Sequence, residues 1–177
     1  MKIPFLMMLL LLPFAAAADE ARETHADKQM PQIKALPSER VAGLLSGAGL
    51  GLAKAAELNR YPGPLHVLEL AGELDLSDDQ LAATRALRVG VVADAKALGA
   101  ELVAAEAELD ALFRSGAAST TRVDALLQRI GALEARLRAV HLNAHVAQRD
   151  LLTAEQVERY VQLRGYGDAR GHGAHHH

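Results

Sequence analysis

The sequence predicts an all-α protein, a long antiparallel helical hairpin with short flanking helices, making a four-helix protomer. Two observations predict this fold. Apolar residues recur at alternating steps of three and four over two long stretches, and a helix-capping pattern stands before the first stretch and after the second. Composition agrees, because the chain has three Phe, three Tyr and no Trp or Cys. Ala and Leu must therefore supply the core, and these residues favour helices.

The first long helix begins with LSDDQL at 76–81. This is a capping box, in which Ser77 caps the helix, Gln80 reaches back to it and Leu76 packs on Leu81. The helix can run to about Phe113. Its apolar residues form a 3.5-residue seam suited to lying along another helix. The seam consists of Val91, Ala95, Leu98, Leu102, Ala105, Leu109 and Leu112.

A second long helix follows the link SGAAS at 115–119, with Thr120 or Thr121 as its cap. Its seam consists of Val123, Leu126, Ile130, Leu133, Leu137, Val140, Ala144 and Ala147. A short link between two seams predicts an antiparallel hairpin. Residues 152–157 (LTAEQV) repeat the capping box in type and order, and a last short helix runs to about Arg164.

Four segments follow from this pattern: a signal peptide at 1–18, a flexible arm at 19–60, a helical hairpin domain at 61–166 and a Gly/His-rich tail at 167–177. Within the arm, residues 41–58 are apolar but contain four glycines. Glycine costs about 1 kcal/mol inside a helix. This apolar strip is therefore either a weak helix or a flexible segment.

Residues 1–18 have the order of a secretory signal: a positive start, an apolar run and a small-residue end. Cleavage is expected after Ala18, which predicts an exported protein. The alternative is an uncleaved membrane anchor, but the apolar run is shorter than the roughly 20 residues that span a bilayer.

The two capping boxes, one on each side of the hairpin, resemble the LTxxQ repeat of the Spy/CpxP superfamily. That superfamily includes small periplasmic chaperones, zinc-resistance-associated proteins and periplasmic heavy-metal sensors. The resemblance covers roughly residues 61–166. It implies a periplasmic location, a four-helix protomer that is often a homodimer, and binding of unfolded proteins or sensing of metal or envelope stress. The chain departs from the chaperone members in being mildly acidic, with a net charge of −3, and rich in alanine.

His141 and His145 are the first candidate metal ligands. They lie four residues apart on one helix and therefore project from the same side. The pair borders the apolar seam, so it either binds a metal ion or consists of two polar residues beside the seam. Two imidazoles with an oxygen ligand suit zinc, nickel, cobalt or copper.

His66 and Glu69 lie on the short helix before the first capping box and form a second candidate group. If that helix folds over the open end of the hairpin, His66 can approach His141. The resemblance adds that metal-sensing relatives carry a ligand histidine on their first helix. The alternative is a surface or partly buried histidine without a ligand role.

The tail residues His172, His175, His176 and His177 form a third candidate metal-binding group. Adjacent imidazoles bind borderline transition metals, but loosely when no fold fixes their geometry. A purification-tag remnant is the alternative explanation.

Several functional classes are disfavoured. The sequence lacks cysteine, a nucleophile elbow, a zinc-protease motif and a phosphate loop, so an enzyme and an organic cofactor are not expected. The mild negative charge argues against nucleic acid as a partner. Three hypotheses remain. The first is a metal-responsive protein in heavy-metal tolerance that either buffers metal or reports it, and a reporter would need a membrane anchor or a membrane-bound signalling partner. The second is an ATP-independent chaperone for unfolded periplasmic proteins, and the third is a structural helical protein without a ligand.

Overall fold

A computed structural model describes residues 33–166 of the chain. Within this range the protein has six helices and no strand, which confirms the all-α prediction. The helices are α1 (Ser38–Ser46), α2 (Lys54–Glu57), α3 (Pro64–Glu69), α4 (Asp78–Arg114), α5 (Thr120–Asp150) and α6 (Ala154–Leu163). None of these helices is long and apolar enough to cross a membrane. The predicted signal at 1–18, the tail at 167–177 and residues 19–32 of the arm lie outside the described range.

Helices α4 and α5 pack along each other and contribute most of the main core. Leu98 and Leu102 of α4 and Leu133 and Leu137 of α5 are buried in one cluster, as the two seams predict. Gln148 near the end of α5 bonds to Thr84 near the start of α4, whereas Glu108 pairs with Arg129. The C-terminal end of α5 therefore lies beside the N-terminal end of α4, and the two helices run in opposite directions.

Both predicted capping boxes are present. The hydroxyls of Ser77 and Thr153 accept hydrogen bonds from the backbone N–H groups of Gln80 and Gln156, and each glutamine side chain accepts one from the backbone of its cap residue. The two motifs also meet in space. Gln80 Nε2 donates to Gln156 Oε1 at 2.7 Å, and Gln156 Nε2 donates to Gln80 Oε1 at 2.9 Å. This reciprocal amide pair joins the start of α4 to the start of α6.

Part of the arm predicted as flexible at 19–60 is helical, which is the first of the two alternatives for the apolar strip. Ser38–Ser46 forms a helix that ends at Gly47 in the left-handed conformation, and Lys54–Glu57 adds a further turn. Leu44 is 2 % exposed and belongs to the main core. A Cβ added at Gly99 would lie 2.1 Å from the Leu44 carbonyl oxygen, so this glycine lets α1 approach α4 closely. Burial of α1 against α4 thus outweighs the cost of the one glycine inside it, Gly43.

Helix α3, the short helix predicted before the first capping box, ends at Glu69. Val67 is fully buried in a second cluster with Leu74 and Tyr160. This cluster ties α3 to α6. It places His66, which precedes Val67, beside the end of α5.

Candidate metal-binding site

The three histidines predicted from two separate motifs line one cavity of about 260 Å³. His66 comes from α3, and His141 and His145 come from α5. The fold thus brings His66 to the same cavity as His141, as predicted for a short helix folded over the long ones. The other lining residues are Gly49, Leu50, Gly51, Ala53, Lys54, Glu57, Gly63, Pro64, Leu65, Arg88, Val91 and Ala144.

His145 is oriented by the loop before α3. Its Nδ1 lies 2.7 Å from the Tyr61 carbonyl oxygen, and because that oxygen can only accept, Nδ1 carries the proton. In the neutral ring the lone pair is therefore on Nε2. The Tyr61 ring is itself held under the Arg149 guanidinium, 4.4 Å away. A Cβ at Gly63 would lie 3.0 Å from His145 Nε2, so glycine makes room for the imidazole.

His141 is the most buried of the three, with 7 % of its surface exposed. Its Nε2 is buried and has no hydrogen-bond partner. Burial lowers the pKa of His141, and the neighbouring His145 and Arg88 lower it further. The ring is therefore neutral near pH 7, the state that a metal ligand requires.

His66 lies between two carboxylates. Its Nδ1 is 2.8 Å from Glu69 Oε2, and its Nε2 is 3.5 Å from Glu57 Oε1. Glu69, predicted as a ligand, does not line the cavity. Its carboxylate instead contacts Nδ1 of His66, whereas Glu57 lies near Nε2. A carboxylate bonded to one ring nitrogen commonly orients the other nitrogen toward a metal.

Glu57 is the functional candidate that the sequence reasoning missed. It is the one acidic residue of the apolar strip at 41–58, and that isolation was the available signal. Its Oε1 accepts hydrogen bonds from Tyr166 Oη at 2.7 Å and from Arg164 Nη2 at 3.2 Å. Partial burial raises the pKa of Glu57, but the Tyr166 hydrogen bond, His66 and Arg164 outweigh that effect and lower it overall. The carboxylate is thus ionised near neutral pH.

The cavity is not an assembled coordination sphere. In the part of the chain that the structure describes, no group of three or more His, Cys, Asp or Glu side chains is arranged to hold a metal ion. Two cationic side chains, Lys54 and Arg88, also line the cavity and repel a divalent cation. The predicted tail ligands His172, His175, His176 and His177 lie outside the described residues.

The donor types nevertheless fit a borderline transition metal, because imidazole nitrogens and one carboxylate oxygen suit zinc, nickel, cobalt and copper. Compared with protein-family models, curated proteins and solved structures, the chain matches none of them.

Proposed function

We propose that the chain is an exported, metal-responsive protein with a chaperone-like role in heavy-metal or envelope stress resistance, and that it is not an enzyme. One observation supports this proposal most strongly. His66, His141 and His145, singled out by sequence, line one cavity together with Glu57.

The hydrogen bonds of the histidines favour metal binding through Nε2. Nδ1 of His145 and Nδ1 of His66 are both taken by oxygen partners, whereas Nε2 of His141 has none. The 3.5 Å between His66 Nε2 and Glu57 Oε1 is close to the separation of about 3.3 Å between two ligands of a tetrahedral zinc ion. Completing a site would also require the rings of His141 and His145 to move toward this pair, because no three described side chains are arranged to hold an ion.

Membership of the Spy/CpxP superfamily is part of this proposal. The opposed α4–α5 pair would be its helical hairpin, and the two capping boxes would be its LTxxQ repeats. A periplasmic location, a homodimer and either unfolded proteins or a membrane-bound signalling protein as partners follow from that resemblance.

Calorimetry tests the metal proposal on the whole chain with His172, His175, His176 and His177 replaced by alanine, so that loose chelation by the tail does not mask a folded site. Zinc, nickel, cobalt and copper are titrated in turn. We expect one equivalent of at least one metal to bind, and His141→Ala to weaken that binding at least about tenfold, since one imidazole ligand is lost.

The matched control is His25→Ala, a histidine of the N-terminal arm, which should leave the affinity unchanged. Absence of binding in the tail-substituted chain, or equal affinity after His141→Ala, would contradict the proposed site.

A metal-independent chaperone is the second candidate, favoured by apolar side chains exposed near the link between the long helices. Phe113 and Leu127 are 60 % and 50 % exposed. Because Glu108 faces Arg129, these two residues lie on neighbouring turns at the same end of α4 and α5. Exposed apolar surface of this kind is what a chaperone without a nucleotide site must use.

Light scattering by an aggregating client tests this second candidate. We expect Phe113→Ser combined with Leu127→Ser to reduce suppression of aggregation. Val89→Ser, at a valine that is 71 % exposed elsewhere on α4, should not reduce it. Equal activity in all three proteins would count against the chaperone function of this surface.

A further inference from the structure

The long helices carry charged residues in two rows of opposite sign. Asp94, Glu101 and Glu108 follow each other at seven-residue intervals on α4, and Arg122, Arg129 and Arg136 do so on α5; all six are exposed. Alanines stand three residues after each of them, at 97, 104 and 111 and at 125, 132 and 139. Each helix thus has a second stripe with alternating steps of three and four, beside its buried seam.

Both rows lie on the same side of the molecule. Asp94 and Glu101 line one groove together with Arg136, and Glu108 lines a second groove with Arg122 and Arg129. Arg129 Nη1 is 3.0 Å from Glu108 Oε2. We call this side the charged face; it comprises the two rows and the six alanines that follow the charged residues on the same helices.

No other described helix covers the charged face. All residues that line its two grooves come from α4, α5 and the link between them. Helix α1 instead packs where Gly99 meets Leu44, and the groove beside it is lined by Arg40 and Arg138. The α4–α5 pair is therefore covered on one side and bare on the other within residues 33–166.

We propose that the charged face binds a second copy of this chain, with a two-fold axis parallel to the long helices and both α4–α5 links at the same end. This rotation places the acidic row of each copy over the arginine row of the other. A two-fold axis across the helices would instead place like charges together, which disfavours association. The alanines let the two faces approach closely, since their side chains are single methyl groups.

The charges remain available for such a partner. The Glu108–Arg129 bridge joins two side chains that are 59 % and 51 % exposed. Exposed pairs of this kind contribute little to stability, so exchanging them for intermolecular pairs costs little. The charged face shares no residue with the histidine cavity, so this inference rests on the homodimer of the proposed function and does not depend on metal binding.

Sedimentation equilibrium of the whole chain tests this arrangement through paired charge reversals. The acidic-row variant carries Asp94→Arg and Glu101→Arg, and the arginine-row variant carries Arg122→Glu and Arg136→Glu. We expect the unmodified chain to dimerise and each variant alone to associate at least about tenfold more weakly, because five of the six charges on its face then have the same sign. Mixing the two variants should restore a one-to-one heterodimer.

The matched control is Arg138→Glu, which makes the same charge change two residues from Arg136 but on the α1 side. It should leave association unchanged. Ala132→Gln changes no charge and should weaken association by blocking close approach, which tests the face even if a reversal variant does not fold by circular dichroism.

Four results would overturn the proposal: a chain that is monomeric at every concentration, a dimer insensitive to the reversals and to Ala132→Gln, an equal loss with Arg138→Glu, or folded variants that do not associate when mixed.

Discussion

Gln80 and Gln156 each serve two structural roles at once. Each completes its own capping box, and each bonds to the other across a separation of 76 residues. Their amide nitrogens also donate to backbone carbonyls that precede the other capping box, Gln80 to Leu151 and Gln156 to Leu74. One glutamine therefore supports both its helix start and the junction between α4 and α6.

Gln80→Ala should destabilise the protein more than the loss of an ordinary cap. A cap is worth about 1 kcal/mol, and the Gln156 amide and the Leu151 carbonyl would lose partners in a partly buried place, which adds about 1–3 kcal/mol. Urea unfolding should therefore show a loss of about 2–4 kcal/mol. Gln128→Ala, at an exposed glutamine of α5, serves as the control; losses of similar size in the two variants would refute the reciprocal pair.

His141 should make stability depend on pH just below neutrality. Burial lowers its pKa in the folded protein, with His145 and Arg88 contributing, whereas the unfolded chain titrates near its usual value of about 6.5. The unfolded state therefore binds a proton first as the pH falls. Stability is complete above about pH 6.5 and declines below it, down to the folded pKa.

The measurement is the free energy of unfolding at about pH 7.5 and about pH 5.5, for the unmodified chain and for His141→Gln. The difference between the two pH values should be smaller in the variant, because glutamine does not titrate. The same difference in both proteins would show that His141 does not cause it.

At the residue scale, the sequence predicts what depends on neighbours along the chain. Ser77 and Thr153 are recognisable as caps because their partners lie three residues away. The Gln80–Gln156 pair is not predictable in this way, since only the folded chain brings the two motifs together. Glu57 was missed for the same reason, because its partners Tyr166 and Arg164 are more than 100 residues distant.

At the scale of the helices, the packing of α1 on α4 depends on Gly99. A methyl group there would meet the backbone of Leu44 at 2.1 Å, and a backbone segment cannot move aside as a flexible side chain can. Gly131 is also inside a long helix, but a Cβ there meets nothing within 4 Å. The two glycines thus form a matched pair.

Gly99→Ala and Gly131→Ala should change stability in opposite directions. Gly99→Ala should lower the free energy of unfolding by about 2 kcal/mol, since overpacking outweighs the better helix propensity of alanine. Gly131→Ala should raise it by about 1 kcal/mol, because alanine favours the helix and its methyl group has open space. Thermal and urea unfolding measure both changes, and a stabilising Gly99→Ala would show that α1 does not pack against Gly99.

The long helices were predictable because their seams repeat over many turns. Ala95, Leu102 and Leu133 are buried where the seam places them. Helix α1 was not predictable in the same way, because four glycines in 41–58 lower the local helix propensity. Its stability comes from burying Leu44 in the main core, a contact between distant parts of the chain that local propensity does not contain.

At the scale of the whole molecule, the histidine cavity combines side chains from four helices. The spacing of His141 and His145 predicts that they share one side of α5, and folding of α3 over α5 brings His66 to them. Glu57 from α2 and Arg88 from α4 enter the cavity only through the tertiary packing. The cavity therefore depends on the packing of α2, α3, α4 and α5, and the proposed function depends on its capacity to bind metal.

A zinc titration followed by imidazole ¹⁵N NMR measures this capacity in the whole chain with the four tail histidines replaced by alanine. We expect the Nε2 signals of His66, His141 and His145 to shift together and to reach saturation at one equivalent, while His25 stays unchanged. Nδ1 of His145 should remain protonated, because it donates to the Tyr61 carbonyl. Shifts at only one of the three rings, or no shift at any of them, would contradict a shared zinc site.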